Sequence, residues 1–111
     1  MTITYDDFSK VDFRSGTVVK AEEFPKAKKP AYKVWVDFGT EIGVKQTSAQ
    51  ITHHYKPESL IGKQVVGCVN LGNKNIGGFT SEFLLVGFPD EIDAVCLITV
   101  DPAVPNGKKL F

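Results

Sequence analysis

Four lysines fall within eight positions, Lys26, Lys28, Lys29 and Lys33, and two large aromatics, Tyr32 and Trp35, stand among and beside them. Ammonium groups meet phosphates or carboxylates, and exposed aromatic faces stack on unpaired bases, so this segment is the best anion-attracting feature of the chain. Glu22 and Glu23 directly upstream temper its field, and the same lysines also read as a solvated loop. A second stretch, Asn70 to Glu82, holds three asparagines, three glycines and Phe79. Such residues expose backbone and present side-chain amides, as in a ligand-contacting loop, or simply accept the left-handed conformations of a long turn.

Catalytic patterns are missing where they could be expected. Gly72 to Gly78 has phosphate-loop glycine spacing but lacks the Lys-Ser/Thr pair that would hold phosphate and magnesium. Ser48 and Ser81 lie in no Gly-x-Ser-x-Gly elbow. His53 and His54 are adjacent, so an extended strand would send their rings to opposite sides, and Thr52, Tyr55 and Lys56 offer no carboxylate or thiolate to complete a metal site. They read as solvated loop histidines. Cys68 and Cys96 stand 28 positions apart among apolar neighbours, which predicts two buried free thiols. A non-enzymatic protein with no catalytic residues, no metal and no cofactor is expected.

These groups need elements to hold them. The 111 residues suffice for one domain, and 42% hydrophobic with 23% charged residues is a composition that folds. Thirteen basic residues cancel thirteen acidic ones, so attraction to a polyanion must come from local patches. The cancellation is uneven, residues 1–75 carrying +3 and residues 76–111 carrying −3. Arg14 is the only arginine, and without that planar fork elsewhere a dedicated base-sequence reader is not expected. No apolar run approaches the ~20 residues of a bilayer span, and the start lacks the basic and apolar regions of a signal peptide. A soluble, cytoplasmic protein without membrane insertion follows.

Short runs of Val, Ile, Phe and Thr separated by Gly, Pro, Asn and Asp predict an all-β domain. Strands are expected at Phe13 to Phe24 with a bend at Gly16, Tyr32 to Phe38, Ile42 to Gln50, Gln64 to Leu71, Thr80 to Phe88 and Ala94 to Val100. Within the second, Tyr32, Val34, Val36 and Phe38 share one face while Lys33, Trp35 and Asp37 share the other. Short helices are expected after Thr4, with Tyr5, Phe8 and Val11 on one face, and at Pro57 to Ile61, stopped by Gly62. Three strands, a short helix and then further strands is the order of an OB-fold, a five-stranded barrel plugged by a helix. The residues beyond Val100 exceed a minimal barrel and could pair with a second chain.

Asp12-Phe13-Arg14-Ser15-Gly16-Thr17-Val18, Lys63-Gln64-Val65-Val66, Asn70, Lys74 through Glu82 and Val104-Pro105-Asn106-Gly107 resemble the tRNA-binding domain family, over essentially the whole chain as one domain, residues 1–111. Within that family, Phe24-Pro25 with Ala27 and Lys29 to Lys33, Glu41 to Lys45, Ser48 to Thr52, and Gly78-Phe79 with Ser81-Glu82 resemble the CsaA-type secretion chaperones. The resemblance implies an OB-fold homodimer, with the N-terminal helix (1–11) and C-terminal extension (101–111) at the interface and a groove on each subunit. It implies an export-related chaperone binding unfolded preproteins or peptides, with non-catalytic, structure-recognising tRNA binding as the alternative. Free-standing tRNA binders of the family carry an Arg shortly before Ser-Glu and a Met soon after; Gly77 and Leu84 stand there, which predicts weaker tRNA affinity. The expected peptide- or tRNA-binding residues are Lys33, Trp35, Lys45, Ser48, Gln50, Asn70, Lys74, Phe79, Ser81 and Glu82. Phe79 and Phe83 share a face by alternation and are weighed equally as core and as groove.

Overall fold

Alternation of apolar and polar residues decides the sheet. In a computed structural model describing residues 1–111, Tyr32, Val34, Val36 and Phe38 are buried while Lys33, Trp35 and Asp37 between them are half-exposed. In chain order the elements are α1 (Tyr5–Ser9), β1 (Phe13–Glu23), β2 (Tyr32–Asp37), β3 (Val44–Ala49), α2 (Pro57–Leu60), β4 (Gln64–Cys68), β5 (Lys74–Ile76), β6 (Phe79–Ser81), β7 (Leu84–Leu85), β8 (Gly87–Pro89) and β9 (Val95–Leu97). Five strands form one antiparallel sheet in the order β3-β2-β1-β4-β7. Its two edges curl towards each other. The Glu82 N–H donates to Gln46 O at 2.8 Å and Thr47 Oγ1 donates to Phe83 O at 2.7 Å, so the segment between β6 and β7 nearly closes an OB-type barrel.

Inward side chains fill that barrel: Val18, Val34, Val36, Phe38, Val65, Phe83 and Leu85 pack with Tyr32 and Ile51. Leu60 of α2 is fully buried among them, which makes this four-residue helix the plug between the third and fourth strands. Phe38 and Phe83 meet edge to face with centroids 4.9 Å apart, so Phe83 belongs to the core. The helix α1 buries nothing; Thr4 and Asp7 cap it reciprocally, and Asn70 holds the chain that follows it.

Several expectations change. The irregularity in β1 lies between Val18 and Lys20, a bulge, while Gly16 pairs regularly with Val65. Glycine is needed at 16 for packing, since a Cβ there would lie 2.5 Å from Val36 Cγ1. The expected strand from Thr80 to Phe88 is broken into β6, β7 and β8 as it turns around the barrel edge. The supposed long turn contains a hairpin, β5–β6, whose Gly77-Gly78 corner has both φ angles positive. Cys68 is buried, but Cys96, in a hairpin that leaves it facing outward, is exposed. The extension after Val100 lies along the start of β1: Ser15 N–H donates to Lys108 O, Gly107 N–H to Ser15 O and Leu110 N–H to Phe13 O, a packing compatible with a second chain on its outer side.

Candidate functional site

The outward face of β2 and β3 carries the aromatic feature. Phe79, brought over by the β5–β6 hairpin, lies 5.8 Å from Trp35 and 5.6 Å from Phe24, centroid to centroid and edge-on to both. Lys33 Nζ stands 5.0 Å over the Phe24 ring and 5.1 Å over Phe79, and Lys20 Nζ stands 4.6 Å over Trp35. The indole N–H of Trp35 donates to Gln46 Oε1 at 3.2 Å, while Gln46 Nε2 donates to Thr80 O at 2.9 Å. Gln46 therefore ties the aromatic row to the hairpin. Phe24 itself is buried; Trp35 and Phe79 keep part of their faces in solvent.

Beside this row opens the largest cleft of the molecule, about 660 Å³. Its floor is apolar, with Ala49, Ile51, Ile76, Leu84, Leu85 and Val95, and Lys26, Lys28 and Lys29 stand along one rim. Ser48 and Gln50 line it too. None of Lys26, Lys28, Lys29 or Lys33 has an acidic partner within 4.0 Å; the ion pairs of the chain lie elsewhere, at Lys10–Asp7, Arg14–Asp12, Lys20–Glu22 and His54–Asp90. Gly77 also borders the cleft, and a Cβ there would start 3.2 Å from Phe24 Cζ on a backbone with φ +58°. A long side chain at 77 would strain the turn and push the hairpin from Phe24.

Of the ten residues expected from sequence, Lys33, Trp35 and Phe79 gather in the aromatic row, and Ser48 and Gln50 line the cleft. Ser81 and Glu82 lie beneath, engaged internally: Ser48 N–H donates to Ser81 Oγ at 3.0 Å and Gln46 N–H to Glu82 Oε1 at 3.0 Å. Lys74 is exposed on β5. Lys45 pairs with Val36 and so points to the opposite side of the sheet from Trp35. Asn70 stands apart. Its Oδ1 accepts from Asp12 N–H at 2.9 Å and its Nδ2 donates to Lys10 O at 2.6 Å, which fastens the segment after α1 to the end of β4. Sequence reading missed Gln46, Ile76, Leu84 and Val95, whose roles arise only when β3, the hairpin and β7 converge. Phe24 carried one local signal, an aromatic just before Pro25 and the lysine loop.

A second cluster also escaped. His54 Nε2 lies 2.6 Å from Asp90 Oδ2, so the expectation of a solvated histidine with no carboxylate is corrected: the partner comes from the β8–β9 turn. That bond, with the N–H groups of Ala94 and Ile92, holds the Asp90 carboxyl below its ordinary pKa. In the wall behind, burial pushes the Tyr32 phenol up, while its O–H donates to Tyr55 O at 2.8 Å. Hydrogen bonding to Asp12 likewise raises Arg14.

The fold is a helix-plugged OB-type barrel with a groove along one side. The family model described as "Putative tRNA binding domain" matches residues 13–109, and the chain belongs to that family. Methionine–tRNA ligases carry a similar segment: that of Thermotoga maritima is 39% identical over 108 residues and that of Methanocaldococcus jannaschii 40% over 101, covering 97% and 91% of this chain. The chain spans only 16% and 15% of those relatives' own length. Solved structures match end to end. Chaperone CsaA from Bacillus anthracis superposes with a TM-score of 0.93 at 45% identity, covering 100% of both chains. CsaA chaperone protein from Picrophilus torridus gives 0.93 at 44%, covering 99% of this chain and 100% of its own. A MetRS related protein from Pyrococcus horikoshii gives 0.87 at 32%, covering 100% and 99%.

Proposed function

We propose that this chain is a CsaA-like molecular chaperone that holds unfolded preproteins or peptides in the cleft beside the lysine loop. The observation that carries this reading is the pairing of an apolar floor, Ile51, Ile76, Leu84, Leu85 and Val95, with three unpaired lysines on the rim. An extended polypeptide presents side chains alternately to its two sides. Apolar ones enter the cleft and leave water, while backbone carbonyls and acidic groups meet Lys26, Lys28 and Lys29. No bond is made or broken in that cycle, and holding a client against aggregation asks for nothing else. An export-related role places the protein in the cytoplasm, where preproteins are met before translocation.

The active unit in this reading is a homodimer. Lys109 Nζ donates to Ser9 O at 3.0 Å, so the two terminal segments meet, and Ile3, Tyr5, Leu110 and Phe111 on them are exposed. Burying that apolar edge against a second copy sets two clefts in one particle, and a client reaching both gains avidity.

A second reading, tRNA binding, is favoured by the row Phe24–Phe79–Trp35 with Lys20 and Lys33 over its rings. Half-exposed faces of Trp35 and Phe79 suit an unpaired base, and the lysine loop suits phosphates. Parallel titrations of a labelled unfolded preprotein and labelled tRNA over a salt series separate the two. Preprotein binding that persists in salt while tRNA dissociates supports the chaperone. Tight tRNA binding whose log affinity falls steeply with log salt, with no preprotein binding, replaces it by the second reading.

A further inference from the structure

Outside the aromatic row and the lining of the cleft, three side chains that sequence separates converge. His54 comes from the connection between β3 and α2; Asp90 and Cys96 come from the turn and second strand of the β8–β9 hairpin. Their donor atoms all lie within 4.8 Å of one another. The backbone beneath them is fastened. Tyr55, next to His54, accepts the Leu97 N–H on its phenol oxygen at 2.8 Å, and Leu97 follows Cys96. Asp90 Oδ1 accepts from Ile92 N–H at 3.0 Å and Ala94 N–H at 2.9 Å, which turns Oδ2 outward to the imidazole.

We propose that His54, Asp90 and Cys96 form a surface site for a borderline divalent cation of the zinc type, with three protein ligands and a fourth position open to water. The donor set is mixed, one imidazole nitrogen, one carboxylate oxygen and one thiolate sulfur. Thiolate and imidazole select zinc over magnesium or calcium, which take oxygen ligands. The dimensions agree with tetrahedral coordination. Ligand atoms about 2.0 to 2.3 Å from zinc stand roughly 3.3 to 3.6 Å from each other. The present spread, from 2.6 Å between His54 and Asp90 up to at most 4.8 Å, brackets that range, and rotations of exposed side chains close the difference. On binding, the Cys96 thiol proton passes to solvent, and the cation takes the place of the hydrogen bond between His54 Nε2 and Asp90, the neutral ring then carrying its proton on Nδ1. The bound ion would clamp the hairpin to the β3–α2 connection. Val95, adjacent to Cys96, lines the cleft floor, so the clamp acts one residue from the proposed client surface.

The test uses the full untagged chain, stripped with a chelator and titrated with Co²⁺ and then Zn²⁺. Expected are one Co²⁺ per chain, a near-ultraviolet thiolate-to-cobalt charge-transfer band, displacement by Zn²⁺, and a Tm raised by zinc. Cys96→Ser removes the band. His54→Ala and Asp90→Asn each weaken zinc affinity about tenfold or more, the scale of loss seen even for outer-shell partners. The Asn variant keeps an Oδ1 for the two turn donors, and His53→Ala leaves affinity within about twofold, as its nitrogens do not join the cluster. Matching far-ultraviolet spectra and metal-free Tm values keep folding separate from ligation. Absence of binding overturns the proposal. So does a thiolate band that survives Cys96→Ser, which would place the ion at Cys68, or equal affinity in all four variants.

Discussion

The seam where the C-terminal extension lies on β1 and the rim of the cleft are both rich in polar side chains, and they use them in opposite ways. Along the seam the side chains of Arg14, Ser15 and Thr17 are engaged: Arg14 Nε donates to Asp12 Oδ1 at 2.6 Å and Nη1 to Gly107 O at 2.9 Å, Ser15 Oγ to Pro105 O at 2.9 Å and Thr17 Oγ1 to Asn106 Oδ1 at 2.7 Å. Along the rim, Lys26, Lys28 and Lys29 have no acidic partner at all. A satisfied polar group fixes geometry, and removing it leaves a partner unpaired. A cation without a partner contributes little to stability and is free to meet a ligand. Polar density by itself therefore does not distinguish the two regions; whether the polar groups already have internal partners does.

Substitutions should separate the two regions cleanly. The largest effect is expected at Gly107, where φ is +86° and a Cβ would lie 2.5 Å from Phe38 O. Gly107→Ala should cost about 3 kcal/mol, combining a left-handed alanine with a backbone clash. Denaturant unfolding reads that loss, and client affinity of the folded fraction should stay within about twofold if the regions are independent. Arg14→Ala should cost about 2 kcal/mol by stranding Asp12 and the Gly107 carbonyl, again read by unfolding. Equal damage to client binding from either variant would break the distinction.

The rim should respond the other way. Lys28→Glu combined with Lys29→Glu is expected to weaken binding of an acidic unfolded client or of tRNA about tenfold while stability shifts by less than about 0.5 kcal/mol. Fluorescence anisotropy and thermal melting on the same sample check both halves. Unchanged affinity would move the client surface elsewhere.

The smallest effect probes the wall behind the cleft. Tyr32 is protonated more tightly in the folded chain, chiefly through burial, so its contribution to stability is complete below the unfolded phenol value near about pH 10 and is lost as pH rises through the raised folded value. Tyr32→Phe should cost about 1 kcal/mol at neutral pH, through the lost bond to Tyr55 O. It should also flatten the alkaline fall in stability, measured as urea midpoints from neutrality to above about pH 10. An equally steep fall in the variant would assign the alkaline response to other groups.

Asn70 shows where local reading of the site ran out. Its type and its setting among glycines suggested a ligand contact, yet its amide holds Asp12 and Lys10, so Asn70→Ala is an experiment on the α1 junction. Ser81 and Glu82 likewise occupy family positions but bond to β3. Trp35 was readable because strand alternation alone puts it opposite Val34 and Val36, and Phe79 required the hairpin to carry it over. Phe83 resolved to the core because β7 turns its neighbour segment under Phe38.

The sequence by itself determined the strands with strong alternation, the capped helices at Tyr5 and Pro57, the helix-plugged order of the barrel and the lysine loop beside aromatics. Those depend on residues within one turn or one strand of each other, where period and capping act directly. Tertiary structure decided which polar groups were consumed internally, how β3 meets the segment before β7, and that His54 reaches Asp90 36 positions away. Such pairings depend on how a curled sheet brings distant edges together, and no local period encodes the distance between two edges.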